Sequence, residues 1–444
     1  MILKLKKTLS LFLLLLATPL LAGELESEAQ IILNKLGYNI SVDGVWDKQS
    51  QLIMSDFYRD RRQVYDGILD QNEMTELKKI QKGLTSELAR ENSEKPQQPP
   101  NLCCAGVTVG NFHGNKQLEY FTVSSPKDYV QYLWGNPNPD VAKGYRLSKE
   151  GVWTDEIQFL TLSNGKAQKL NKKIIHPEGF CLHNSQSVAG DFNSDGIDDI
   201  LVACHGYDAR PWPGDHSYVV LSQNDGSFKS QRITKKPGFY HGATIFDVNG
   251  DTHLDVILTN SSDGKGKRPK VTAHLGNGKG EFSKAKTLIG GLRANYSISS
   301  FDFNYDGHVD IILGGHEVDP HGSTKLTTKI YFNNGKGKFS SRRSNKIKKN
   351  QKYSIVLDFL VYRNFLFVVR TSGYPNPYKG GAIQQIDLNT MKQIGLLTKE
   401  NARPPRRLRR VASNNGTVKF GTLDQYAKDF DFYVNNDGKM EFVR

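Results

Sequence analysis

Three segments of the chain repeat one another: SVAGDFNSDGIDDILVA at 187–203, GATIFDVNGDTHLDVILT at 242–259 and SISSFDFNYDGHVDIILG at 297–314. Their leading aspartates, Asp191, Asp247 and Asp302, stand 56 and 55 residues apart. Such a period marks a repeated supersecondary unit. Each copy sets apolar runs on both sides of an acidic loop and then closes on a turn-rich ending: VVLSQNDGSF, TAHLGNGKGEF or KIYFNNGKGKF. Fifty-six residues past Asp302, YSIVLDFLVYRNFLFVV keeps Asp358 and the flanking apolar strands without the polar loop. Upstream, VTVGNFHGNKQLEYFTV is a decayed first copy, with Asn111, His113, Asn115 and Glu119 at the corresponding offsets. A last ending, DFYVNNDGKMEF, closes the chain.

A unit of four short strands cannot bury both its faces alone, but units stacked radially can. The expected fold is therefore mainly β, a six- or seven-bladed β-propeller over 103–444. The long first interval, from 111 to 191, holds either an insertion or an extra degenerate blade. High glycine, 41 residues, suits strands and turns.

In each loop, oxygen-bearing side chains fall at positions 1, 3, 5 and 9. These are Asp191, Asn193, Asp195 and Asp199; Asp247, Asn249, Asp251 and Asp255; Asp302, Asn304, Asp306 and Asp310. Three crowded carboxylates need a hard cation, and the main-chain carbonyl at position 7, from Ile197, His253 or His308, completes an oxygen cage suited to Ca2+. About three structural calcium sites are expected. Gly196 and Gly307 serve the sharp turn, while the second copy has Thr252 there and Gly250 earlier, so its turn is expected to differ. These motifs resemble the FG-GAP/VCBS repeats of integrin-type propellers, which implies the propeller fold and a structural role for the metal.

Ahead of the repeats, residues 23–82 read as three short helices joined by Asp-Gly turns, VDGVWDKQS and YDGILDQNE. This order resembles the peptidoglycan-binding type 1 domain. Asp43, Gly44 and Val45 match its first turn, and Asp66, Gly67 and Ile68 its second. Asp47 and Ser50, then Asp70 and Glu73, replace the family's following glycine and threonine. Residues 83–102, with three prolines and many charges, read as a linker.

The first 22 residues carry Lys4, Lys6 and Lys7, then an apolar run from Leu9 to Leu16 and small residues up to Ala22, the pattern of a signal peptide. Its removal takes three lysines and no acid, so the formal charge falls from +13 to +10. The expected compartment is periplasmic or secreted, with no transmembrane segment after cleavage. A basic exported surface favours peptidoglycan, an acidic glycan or a cell-surface or periplasmic protein as partner; no nucleic-acid recognition signature is present. Adjacent Cys103 and Cys104 are poorly placed to bond each other, so the expected pairing joins one or both to Cys181 and Cys204.

The loops at the blade ends opposite the acidic loops are long and decorated: CHGYDARPWPGDHS, GGHEVDPHGSTK and RTSGYPNPYKGG, with EGFCLHNS and PGFYHGAT leading into first strands. They place His183, His205, Tyr207, Asp208, Arg210, Trp212, His216, His241, His316, His321 and Tyr374 on one face. A glycan- or protein-binding surface is the preferred reading. A metal-dependent polysaccharide lyase or hydrolase using these histidines is the alternative, and plain polar decoration is the bland one. The run RPPRRLRRV at 403–411 reads as a solvated loop, with contact to an anionic polymer as the alternative.

Overall fold

The computed structural model describes residues 23–443 apart from 79–105, 125–155, 207–213, 262–269, 319–325, 422–428 and shorter breaks of one to four residues. The signal-peptide and linker segments, Asp66, Cys103, Cys104, Tyr207, Asp208, Arg210, Trp212, His321 and Tyr374 thus lie outside the described residues. Among the described residues three helices precede the sheets: α1 (Glu24–Lys35), α2 (Lys48–Asp60) and α3 (71–78). Their shared core is Ile32, Leu33, Ile53, Phe57, Met74 and Leu77. The two departures from the family turns are helix caps. Asp47 accepts from Ser50 N at 2.8 Å, while Asp70 accepts from Asn72 N and its own N–H meets Glu73 Oε2, a capping box. Buried Gln30 ties α1 to the first Asp-Gly turn, accepting from Asp43 N and Gly44 N and donating to Asp43 Oδ1.

Among the described residues six antiparallel sheets follow, each a run of four strands in chain order. Sheet 1 begins with Gly106–Gly110, sheet 2 with Asn184–Gly190, sheet 3 with Tyr240–Phe246, sheet 4 with Asn295–Phe301, sheet 5 with Ile355–Tyr362 and sheet 6 with Arg409–Asn414. Sheet 2 gains a fifth strand, Ile174–Ile175, parallel to Phe228–Arg232. The first strands of sheets 1 to 5 lie side by side in chain order. Small polar residues join them: Thr244 to Ser300 at 2.6 Å, Ser297 to the Val356 carbonyl at 2.6 Å and Ser185 to the His241 carbonyl at 2.9 Å. The neighbours approach so closely that a Cβ on Gly242 would stand 2.8 Å from the Tyr296 carbonyl. The second strands Asp199–Cys204 and Asp310–Gly315 are buried along their whole length.

Asp358 corrects the reading of the fourth copy. It lies inside Ile355–Tyr362, and the position of the acidic loop is taken by the short turn at Arg363 and Asn364. The 56-residue spacing is a coincidence of a longer connection before the sheet and a shorter hairpin within it. The cysteines need a second correction: Cys181 bonds Cys204, with Cα atoms 5.6 Å apart. The pair links the approach to the first strand of sheet 2 to the end of its second strand. Sequence spacing alone did not show that these two points meet. No helix among the described residues is long and apolar enough to cross a membrane.

Candidate functional site

The three acidic loops share one core bonding pattern. Asp191 Oδ2 accepts from Gly196 N, Asp247 Oδ2 from Thr252 N and Asp302 Oδ2 from Gly307 N, at 2.6 to 2.8 Å. Asp195, Asp251 and Asp306 accept from the amides of Ile197, His253 and His308. The amides of Asn193, Asn249 and Asn304 meet the same three aspartates at 2.8 to 3.0 Å. Thr252 has φ +71°, beside +80° at Gly196 and +84° at Gly307. The second turn therefore does not differ; a β-branched residue simply bears the left-handed conformation.

The ninth residue does something the sequence did not announce. Asp199, Asp255 and Asp310 are fully buried. Each takes one backbone N–H from its own loop, at Phe192, Val248 or Phe303, and one from the end of the third strand, at Ser222, Gly276 or Asn333. Glu119 repeats the first of these bonds, accepting from Phe112 N at 2.9 Å. Burial pushes Asp199 up to about 7, Asp255 to about 6 and Asp310 to about 8, against the pull of those donors; nearby loop carboxylates push the same way. Oxygen donors and surplus negative charge fit a hard divalent cation in chemical type. No group of three or more His, Cys, Asp or Glu among the described residues is arranged to hold a metal ion.

At the other end of the strands, about 20 Å from the acidic loops, four of the expected histidines meet. His183 and His205 have ring centroids 5.0 Å apart, His205 and His241 4.1 Å. Tyr296 continues the row, 4.4 Å from His241 and 4.7 Å from His316. The row crosses sheets 2, 3 and 4. His205 N also donates to the His183 carbonyl, and the disulfide at Cys181 and Cys204 fixes the chain beside both rings. Burial holds His183 and His241 well below the ordinary imidazole value, and the imidazole of His205 adds to this. Both residues are partly exposed as a whole. His216 stands apart, its Nδ1 on the Thr234 carbonyl at 2.7 Å.

Tyr296 was missed from sequence, although a signal was present. Ser185, His241 and Tyr296 occupy the same bulge in their strands, where the register skips between Asn184 and Gln186, Tyr240 and Gly242, Asn295 and Ser297. A bulge re-aims the side chain of its extra residue. Also missed was Ser261, whose Oγ lies 2.6 Å from His241 Nδ1.

The basic run is not a solvated loop. Arg407 Nη1 donates to Asp358 Oδ1 at 3.2 Å, and Nη2 reaches the Ser185 carbonyl at 3.5 Å. Leu408 N donates to Asp358 Oδ2. The run joins sheet 5 to sheet 2, and its Arg406 charge acts on His183. A buried acid and the main chain of a distant strand, 222 residues away, draw it inward.

The sequence profile of the FG-GAP-like repeat matches residues 191–258 and 247–313. Human integrin alpha-8 is 29% identical over 135 residues, covering 28% of this chain and 13% of that one; the mouse protein gives the same figures. The chain thus spans about an eighth of the length of these relatives. Among solved structures, the Dos1 propeller aligns with a TM-score of 0.40, at 10% identity over 79% of this chain and 74% of that one. The V. cholerae biofilm matrix protein Bap1 gives 0.36, at 12% identity over 78% and 60%. Three acidic loops with one bonding pattern, matched by that profile, make residues 191–313 an FG-GAP-like repeat region.

Proposed function

We propose that the protein is a periplasmic or secreted recognition module. In this reading the six sheets are blades of a β-propeller whose ligand, a glycan or a protein, sits on the histidine row. The observation that carries it is the unbroken ring path His183, His205, His241, Tyr296 and His316 across three sheets. The His183 and His241 imidazoles, held below the ordinary value by burial, carry one donor and one acceptor each, and a tyrosine adds a flat face for stacking. The disulfide supports an oxidising compartment. Each acidic loop takes one Ca2+ through Asp191, Asn193 and Asp195 or their counterparts, the carbonyl of Ile197, His253 or His308, and a remaining lone pair of the ninth aspartate. The ion supplies positive charge that offsets the crowded carboxylates and serves the fold, not a reaction. The helices at 23–82 hold the protein at peptidoglycan.

A panel of neutral and acidic glycans tests the reading. A ligand retained without product formation, and weakened by Tyr296→Ala, is the expected result; no binding across the panel removes the glycan arm. A hydrolytic reading has one contact in its favour, the Ser261 hydroxyl beside His241 Nδ1, which is the geometry of a nucleophile and its base. Time-dependent cleavage of a panel member, lost in Ser261→Ala, would establish that reading instead.

A further inference from the structure

Helix α2 divides its side chains between two cores. Ile53 and Phe57, one turn apart, enter the core of the helices, while Lys48 and Leu52 share a neighbouring face. Leu52, 3% exposed, belongs to the core of sheets 4 and 5, with Phe301, Phe303, Val356 and Phe359. Lys48 Nζ lies 4.5 Å from the centre of the Tyr305 ring, a cation–π contact with the third acidic loop. The second Asp-Gly turn meets the same loop: a Cβ on Gly67 would stand 3.9 Å from the Gly307 Cα. Helix α2 also contacts the first strand of sheet 5, the sheet whose acidic loop is replaced by a short turn. Tyr305 sets the third loop apart. It fills the fourth position, where Ser194 and Gly250 stand in the sister loops, and all three are left-handed, with φ of +57°, +60° and +82°. A bulky residue is the most strained of the three there. Its ring meets Phe301 edge-on, 6.2 Å between centroids, and packs against the core that holds Leu52. Such strain persists where the surroundings over-determine it, and α2 is part of those surroundings.

We propose that the third acidic loop is the dock of the helical segment, with Tyr305 as its latch, so that this loop and the helices open and close as one unit. Ser194 and Gly250 offer no ring to grip, so the sister loops carry no such tie. The order of the third loop is then felt at α2, and by linkage whatever orders that loop tightens the hold on the helices. The histidine row lies at the opposite end of the strands, about 20 Å off. Helices docked here therefore point the row away from any surface they hold.

Hydrogen exchange of the full mature protein, read by mass spectrometry with chelator present, tests the latch independently of any metal. Tyr305→Gly removes the ring and also relieves the left-handed strain, so a loosened α2 cannot arise from the turn itself. Amides of residues 51–60 should exchange about tenfold faster in this variant than in the parent. Those of Asp199–Cys204 should keep the parent rate and so report an intact fold. Asp302→Ala removes the acceptor of the Asp306 and Gly307 amides in the same loop and should act in the same direction. Asp191→Ala, its counterpart in sheet 2, should change exchange at α2 by less than about twofold. Parent rates at α2 in Tyr305→Gly, or equal responses to Asp191→Ala and Asp302→Ala, would overturn the dock. Should Asp199–Cys204 also quicken in Tyr305→Gly, Lys48→Ala, at an exposed residue outside both cores, decides instead: faster exchange at α2 supports the dock and parent rates refute it.

Discussion

The Asp310 carboxylate accepts the Phe303 amide at 3.0 Å and, through its other oxygen, the Asn333 amide at 2.8 Å. One buried side chain thus holds both hairpins of sheet 4 together. Asp310→Ala strands two buried N–H groups, and a loss of about 3 kcal/mol is expected from unsatisfied charge-assisted bonds. In calcium-free buffer, urea unfolding should show this loss, while exposed Asp306→Ala changes stability by less than about 1 kcal/mol. Equal effects from the two variants would contradict the assignment.

Calcium should separate the same residues in another way. Metal bound only to the folded state stabilises it by mass action, about 2.7 kcal/mol at a hundredfold excess over Kd. The melting temperature should rise with Ca2+ and fall back with chelator, and calorimetric titration should count three ions. Asp306→Ala should leave two. An unchanged melting curve on chelation would remove the metal from the account.

Thr252 supplies a prediction with the opposite sign. Its φ of +71° is one that glycine bears without strain, as Gly196 and Gly307 do in the sister loops. Thr252→Gly should stabilise the protein by about 1 kcal/mol, since the left-handed penalty for an L side chain exceeds the added chain entropy. A drop in urea midpoint would show that the threonine side chain has a role of its own.

Arg370 and Glu317 form a fully buried pair joining sheets 4 and 5, with Nη1 2.7 Å from Oε2. Gln384 and Thr328 complete their bonding. Glu317→Ala should cost about 3–5 kcal/mol by leaving a buried cation. The double change Glu317→Met with Arg370→Met should recover most of it, which a double-mutant cycle measures.

The histidine row should give the fold a weakness in acid. His183 and His241 titrate lower in the folded chain than the ordinary value of 6.5. Unfolded imidazoles therefore take up protons first, and stability falls as pH drops below about 6.5, by ~1.4 kcal/mol per pKa unit of depression. Above that pH both states are neutral and the effect vanishes. Comparing His241→Phe with the parent between pH 8 and 5 isolates this contribution from that of the buried aspartates; parallel curves would refute it.

The repeats were legible because each acidic loop must present the same oxygens at the same spacing, and the spacing survives in the letters. The histidine face was legible from topology, since loops after second strands and before first strands share one end. Three things were hidden. Asp358 and the basic run look like a decayed loop and a solvated one until tertiary contact brings Arg407 across to Ser185. The Cys181 partner depends on where two strand ends meet. Tyr296 was masked because its match to His241 and Ser185 lies in backbone register, which unlike side chains do not reveal.

The shared bulge at Ser185, His241 and Tyr296 has an evolutionary corollary. Duplication copied the strand, the loop and the buried aspartate as a fixed chassis, and left one outward-aimed position per copy under no obligation to the hydrogen-bond ladder. A serine, a histidine and a tyrosine now fill it. A substitution there changes the chemistry of that end of the sheets one letter at a time, with the architecture beneath it held constant.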